Sequence, residues 1–210
     1  MCFNPWEITV AEYKAPTKDM NYLLYDVWKA DELWQQLPHT SECVDRDTAE
    51  AIIEECSKIA EQEVAPLSRV GDETGVQFDN GNVKTVEGYK AAFDTYAEGG
   101  WSGLGGDTEF GGMGMPKMIT SLHEEMLCSA DISFSLYTGL SAGAALSVAK
   151  HGSQELKSLY LPKLYAGEWT ATMCLTESHS GTDLGLIKTK AVPQEDGSYL
   201  VTGSKIFITA

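Results

Sequence analysis

A chain of 210 residues that is 43% apolar and 22% charged is long enough to bury one or two cores, so disorder is not its default state. Its 15 basic and 31 acidic residues leave a formal net charge of -16, which repels nucleic-acid phosphate and anionic membrane surfaces and argues against a nucleic-acid partner. Cys2, Cys43, Cys56, Cys128 and Cys174 form no C-x-x-C pair, and the first residues lack a secretory or organellar leader pattern, so a reducing, cytoplasmic setting is expected.

Residues 1–45 read as an N-terminal extension with helical signal over 20–28 and 31–37, broken by Pro38. Asp47 and Glu50 then fit a capping box, Ala49, Ile52, Ile53, Cys56, Ile59 and Ala60 share one helical face, and Pro66 is expected to close the helix. Residues 68–83 read as loop, with short extended pieces around 76–78. Tyr89, Ala92, Phe93 and Tyr96 have helical spacing that stops at Gly99-Gly100. The glycine-rich stretch 99–116 has neither G-K-[ST] nor a preceding strand, so it is expected to be a structural connector packed by Trp101 and Phe110 rather than a phosphate loop.

Pro116 opens the next helix, with Met118, Ile119, Leu122, Met126 and Leu127 on its apolar side. The uncharged run 132–149 approaches the minimum length of a membrane span. Its hydroxyl residues and alanines, and its lack of anchoring residues, instead suggest a helix buried in a bundle, so no transmembrane segment is expected. A shorter helix follows from Ser153 to about residue 164. After Trp169 the pattern changes, and residues 170–175, 186–192, 199–202 and 205–209 favour strands. The fold class is therefore α+β: an all-helical bundle over 46–166 followed by the beginning of an antiparallel β domain over 167–210. About four strands, the last with no partner after it, suggest an incomplete polypeptide.

Chemistry concentrates in the last forty or so residues. His39, His123, His151 and His179 are scattered without partners at ligand spacing, so no metal site is expected, and no serine sits in G-x-S-x-G. Residues 173–183, MCLTESHSGTD, gather hydroxyl and backbone donors in one short turn, which suits the carbonyls and pyrophosphate of a flavin. A plain polar β-turn is the alternative on composition alone. The second element, GSKIFIT at 203–209, tips the balance by placing an aromatic two residues before a threonine.

Together these strings resemble the flavin-binding face of the acyl-CoA dehydrogenase family, and the resemblance extends over residues 47–210. Tyr13-Lys14-Ala15-Pro16, Asp19-Met20 and Leu23-Leu24 further resemble the longer bacterial subgroup that includes 3-methylthiopropionyl-CoA dehydrogenases. The resemblance implies FAD as cofactor, held by Met173, Leu175, Thr176, Gly181, Thr182, Phe207, Ile208 and Thr209. Thr176 would bond near the ring's reactive edge, and Thr182 would also serve the phosphates of an acyl-CoA substrate. Two departures stand out: Thr182 replaces a more usual serine, and Ser178-His179-Ser180 replaces a Pro-Gly-Ala-like turn.

The implied activity is α,β-dehydrogenation of an acyl-CoA thioester, with electrons passed to an electron-transferring flavoprotein by a homodimer or homotetramer. A glutamate in a second helical domain removes the α-proton in that family, and no residue here matches it. No catalytic residue is therefore assigned, and the chain alone is expected to be inactive. An oxidase would share the motifs, and a non-catalytic binding or assembly module is the reading from another class.

Overall fold

The computed structural model describes residues 12–38, 40 and 42–208. The chain starts with α1 (Thr17–Asn21), which passes through a π-helical turn (Tyr22–Val27), and α2 (Ala30–Gln36). Met20, Leu24, Tyr25 and Trp34 are buried, so part of the extension belongs to the main helical core.

α3 (Arg46–Lys58) is capped by Asp45, whose side chain accepts from the Thr48 N–H at 2.8 Å. The expected Asp47/Glu50 box does not form, because Glu50 pairs with Arg46 at 2.8 Å. Pro66 does not end the helix either. A π-helical turn (Ile59–Val64) shifts the register, and α4 (Ala65–Thr74) restarts with Pro66 in its first turn, where a missing N–H costs nothing. The stop is Gly75, at φ +68°.

The stretch expected to be loop contains a small hairpin, β1 (Gln77–Asp79) with β2 (Asn82–Lys84). Asn80 and Gly81 make its turn at φ +47° and +85°, the left-handed pair that a two-residue hairpin demands. α5 (Tyr89–Glu98) leads into the glycine-rich connector. There the Met113 N–H donates to the Gly103 carbonyl and the Gly114 N–H to the Gly106 carbonyl, both at 2.9 Å. The connector's two limbs lie so close that a Cβ on Gly112 would overlap the Gly106 backbone.

α6 (Lys117–Ala130) contributes Ile119, Leu122, Met126 and Leu127 to the core shared with Ile53, Cys56 and Val64. Each such side chain, fully buried, contributes roughly 2 kcal/mol relative to exposure. α7 (Ile132–His151) and α8 (Gln154–Tyr165) form a second, smaller cluster around Ala145, Leu161, Leu164, Tyr165 and Phe110. α7 is not the buried helix expected. It packs against α6 and α8, yet Ile132, Leu136 and Leu146 are 55%, 53% and 60% exposed. A helix apolar all round carries no directional signal, so its sequence could not say which face is covered. By length and composition alone α7 could cross a membrane.

β3 (Lys190–Pro193) pairs antiparallel with β4 (Tyr199–Thr202), Lys190 opposite Thr202 and Pro193 opposite Tyr199. The strands expected at 170–175 and 205–209 form no ladder among the described residues, since neither has a flanking strand to pair with. Polar and aromatic contacts anchor this region to the bundle. Ala171 N–H donates to the Ser141 hydroxyl of α7 at 3.1 Å, and the Lys163 ammonium lies 4.8 Å from the Trp169 ring centre.

Candidate functional site

The first motif folds into a tight turn. Glu177 and Ser180 exchange backbone hydrogen bonds of 2.9 and 3.0 Å, which puts Ser178 and His179 at the corner. Ser180 is buried, and its hydroxyl donates to the Asp183 carbonyl at 2.7 Å. Asp183 in turn caps a 3-10 turn (Leu184–Leu186) by accepting from the Gly185 N–H.

The second motif runs alongside the first. Ile206 N–H donates to the Thr176 carbonyl at 3.0 Å, and the Lys205 ammonium donates to the Leu175 carbonyl at 2.9 Å. Leu175, Thr176 and the segment leading to Phe207 and Ile208 therefore form one corner. Gly181 lies there too: a Cβ on it would sit 3.7 Å from the Thr176 methyl. Met173 and Thr182 flank the corner in sequence and are exposed. Thr209 falls outside the described residues.

Two properties of this corner fit a bound flavin nucleotide. The backbone N–H groups of Gly181 and Thr182 and the Thr182 hydroxyl bond to no described residue, leaving donors for anionic or carbonyl oxygens. Phe207 is 84% exposed, an uncovered aromatic face beside those donors. Its φ of +54° is left-handed, a conformation that costs a bulky residue on the order of 1 kcal/mol and that no strand could use.

Sequence reasoning passed over the group that organises this corner. Glu177 has a side chain only 3% exposed, covered by its immediate partners rather than by a deep core. Its Oε2 accepts from the Lys188 N–H at 2.9 Å, and its Oε1 accepts from the Thr189 N–H at 3.0 Å and the Thr189 hydroxyl at 2.6 Å. The Lys205 ammonium adds a fourth bond at 2.9 Å. Led by the Thr189 hydroxyl, these donors hold the carboxyl far below the usual carboxylate range. The only signal for it was an acid in one motif and a lysine in the other, which spacing alone does not pair.

A larger cleft of about 1730 Å³ lies in the helical part, among Tyr13, Glu61, Tyr89, Phe93, Phe134 and Tyr137. None of the described residues of the two motifs lines it. Nor do the described residues contain a group of His, Cys, Asp or Glu side chains that could hold a metal ion.

The family described as acyl-CoA dehydrogenase, N-terminal domain, matches residues 46–168. The chain is 40% identical over 199 residues to 3-methylmercaptopropionyl-CoA dehydrogenase of Ruegeria pomeroyi, an alignment covering 94% of this chain and 33% of that protein. Among solved structures, an acyl-CoA dehydrogenase from Bacillus anthracis complexed with FAD superposes with a TM-score of 0.65 at 27% identity, covering 77% of this chain and 27% of the other. A chain from a structure described as an electron-transferring flavoprotein of Acidaminococcus fermentans gives a TM-score of 0.64 at 26% identity, covering 79% and 40%. The chain thus spans about a third of the length of the curated relative described here.

Proposed function

The chain belongs to the acyl-CoA dehydrogenase family, and from that premise we propose that it is the N-terminal portion of an FAD-dependent enzyme that dehydrogenates an acyl-CoA thioester between its α and β carbons. The observation that carries this reading is the meeting of the two motif segments at Leu175-Thr176 and Lys205-Ile206. FAD, when bound, supplies the two-electron acceptor that such a reaction needs.

The described residues have binding and orienting roles in this reading. Gly181 and Thr182 offer N–H and hydroxyl donors to phosphate or ring oxygens, Thr176 lies at the seam, and Phe207 and Ile208 offer apolar cover that excludes water. Met173 borders the same face, and Thr209 completes the assigned set by resemblance. Thr182 is the residue shared with acyl-CoA phosphate. No residue here is assigned as the base that removes the α-proton. Electrons leave to an electron-transferring flavoprotein, a partner supported by the likeness to the Acidaminococcus structure. We place the protein in the cytoplasm, in fatty acid metabolism and in a homo-oligomer. The free thiols Cys43, Cys56, Cys128 and Cys174 support a reducing compartment.

The test is spectroscopic. The whole protein should purify yellow and bleach anaerobically on addition of an acyl-CoA. A colourless protein that takes up no FAD, or a yellow one that no acyl-CoA of any chain length reduces, would refute the proposal. Oxygen consumption during turnover would make it an oxidase instead.

A further inference from the structure

Glu177 and Lys205 come from different motifs, 28 residues apart, and their ion pair closes the corner at which the flavin site is proposed. Resting on that site reading, we propose that they are positioning residues, which hold the two motif segments in the register that binds FAD without touching the cofactor themselves.

Both oxygens of Glu177 are engaged, one by the Lys188 N–H and the other by Thr189 and Lys205. An ionised carboxylate has no donor to offer a cofactor carbonyl, its acceptor sites are taken by these partners, and its negative charge would repel a pyrophosphate. Its use is mechanical. It fastens the turn at Ser178-His179 to residues 188–189 on one side and to the second motif on the other.

Lys205 works in the same direction. Its side chain is 17% exposed, and its ammonium divides its bonds between Glu177 and the Leu175 carbonyl, one residue before the Thr176 carbonyl that receives Ile206. The lysine thereby sets which residue of the second motif lies opposite Thr176, and so where Phe207 projects. Gly203 completes the clamp, because a Cβ there would overlap Thr189, the residue that gives Glu177 two of its bonds. Three residues of the two motifs, Glu177, Gly203 and Lys205, thus serve one junction, while Thr176, Gly181, Thr182 and Phe207 face the proposed cofactor. Cofactor contacts held by such a junction lose affinity when their support moves by a fraction of an ångström.

The test compares FAD affinity in whole-protein variants: wild type, Glu177→Gln, Lys205→Met, the double variant and Lys205→Arg. FAD is removed and titrated back, following flavin fluorescence, while far-UV circular dichroism reports the helical bundle. Glu177→Gln would set its amide NH2 against either the Lys188 N–H or the Thr189 N–H, so both single variants should bind FAD about 10- to 100-fold more weakly. The double variant should be no worse than the weaker single, because one junction is broken once. Lys205→Arg, which keeps the charge, should recover most of the affinity lost in Lys205→Met.

Unchanged affinity in the single variants, or losses that multiply in the double variant, would overturn the positioning role. So would affinity losses that merely track loss of helical signal. A wild-type protein that binds no FAD would overturn the site reading and the positioning role with it, whereas wild-type binding with unaffected variants sinks the positioning role alone.

Discussion

Lowering the pH should weaken this fold through one buried side chain, His123. It lies on α6, 5% exposed, with its ring stacked on Tyr96 at 5.7 Å between centres and tilted against Trp101 at 5.6 Å. Nε2 is 3.3 Å from the Tyr96 hydroxyl, and Nδ1 has no partner among the described residues. A proton there would place a cation with an unpaired N–H inside the aromatic stack, and burial pushes the ring's pKa from 6.5 down to about 4. The folded pKa lies below the unfolded one, so between them the unfolded chain binds a proton that the native chain refuses. Stability is therefore intact above about pH 6.5 and drains away as pH falls towards about 4. Integrated over that interval the loss approaches about 3 kcal/mol, of which about 2 kcal/mol accrues between pH 7 and pH 5. Attraction of the cation to the two rings offsets part of the penalty, by about 1 kcal/mol at most sites, and does not reverse it. The assay is urea unfolding of the wild type and His123→Phe at pH 7, 6 and 5. Carboxylates titrate alike in both, so the wild type should lose about 2 kcal/mol relative to the variant across that range. A stability difference that stays constant with pH would refute the reasoning, as would a folded-state His123 ring that titrates near 6.5 by NMR.

The other predictions concern the frame and the proposed site. Asp131 is buried, caps α7 by accepting from the Ser133 and Phe134 N–H groups, and also accepts from the Tyr89 hydroxyl. Asp131→Ala should cost about 2 kcal/mol in urea unfolding, and Asp131→Asn, which can still cap, about half of that. Gly112→Ala should cost about 2 kcal/mol, because its Cβ would meet the Gly106 backbone, which has no flexible end to move aside. Thr182→Ala should weaken FAD or acyl-CoA binding about tenfold and Thr182→Ser much less, since serine keeps the hydroxyl.

The helical half was legible because periodicity and punctuation agree there. Pro116 and Gly99-Gly100 mark real ends, and Ile119, Leu122 and Met126 are core residues, as their spacing requires. Where reading failed, the deciding interaction lay outside the window being read. Pro66 carries the ordinary signature of a helix stop, and the π-helical shift that accommodates it leaves no trace in composition. Asn80-Gly81 was the opposite case, a legible hairpin signal overlooked inside a glycine-rich loop. The evenly apolar α7 gave no direction for its buried face, and a strand at 205–209 presupposed a neighbour.

The same limit applies to the candidate site. Short motifs expose the groups that face a ligand, because their hydroxyls, glycines and aromatics are unusual in a row. They conceal the groups that hold the motifs together, because each half of such a pair looks ordinary alone. Glu177 is one acid among 31 acidic residues, and Lys205 one of 15 basic ones. Only their 2.9 Å separation, with Thr189 wedged beneath Gly203, turns two surface-type residues into a junction. Among the described residues most ion pairs are exposed helix pairs such as Arg69 with Glu73, where solvent screens the attraction and the contribution is small. The Glu177–Lys205 pair differs in being shielded at both ends and joined to backbone donors. Removing one partner there leaves the other with a shielded bond unmet, so the loss exceeds that of an exposed pair.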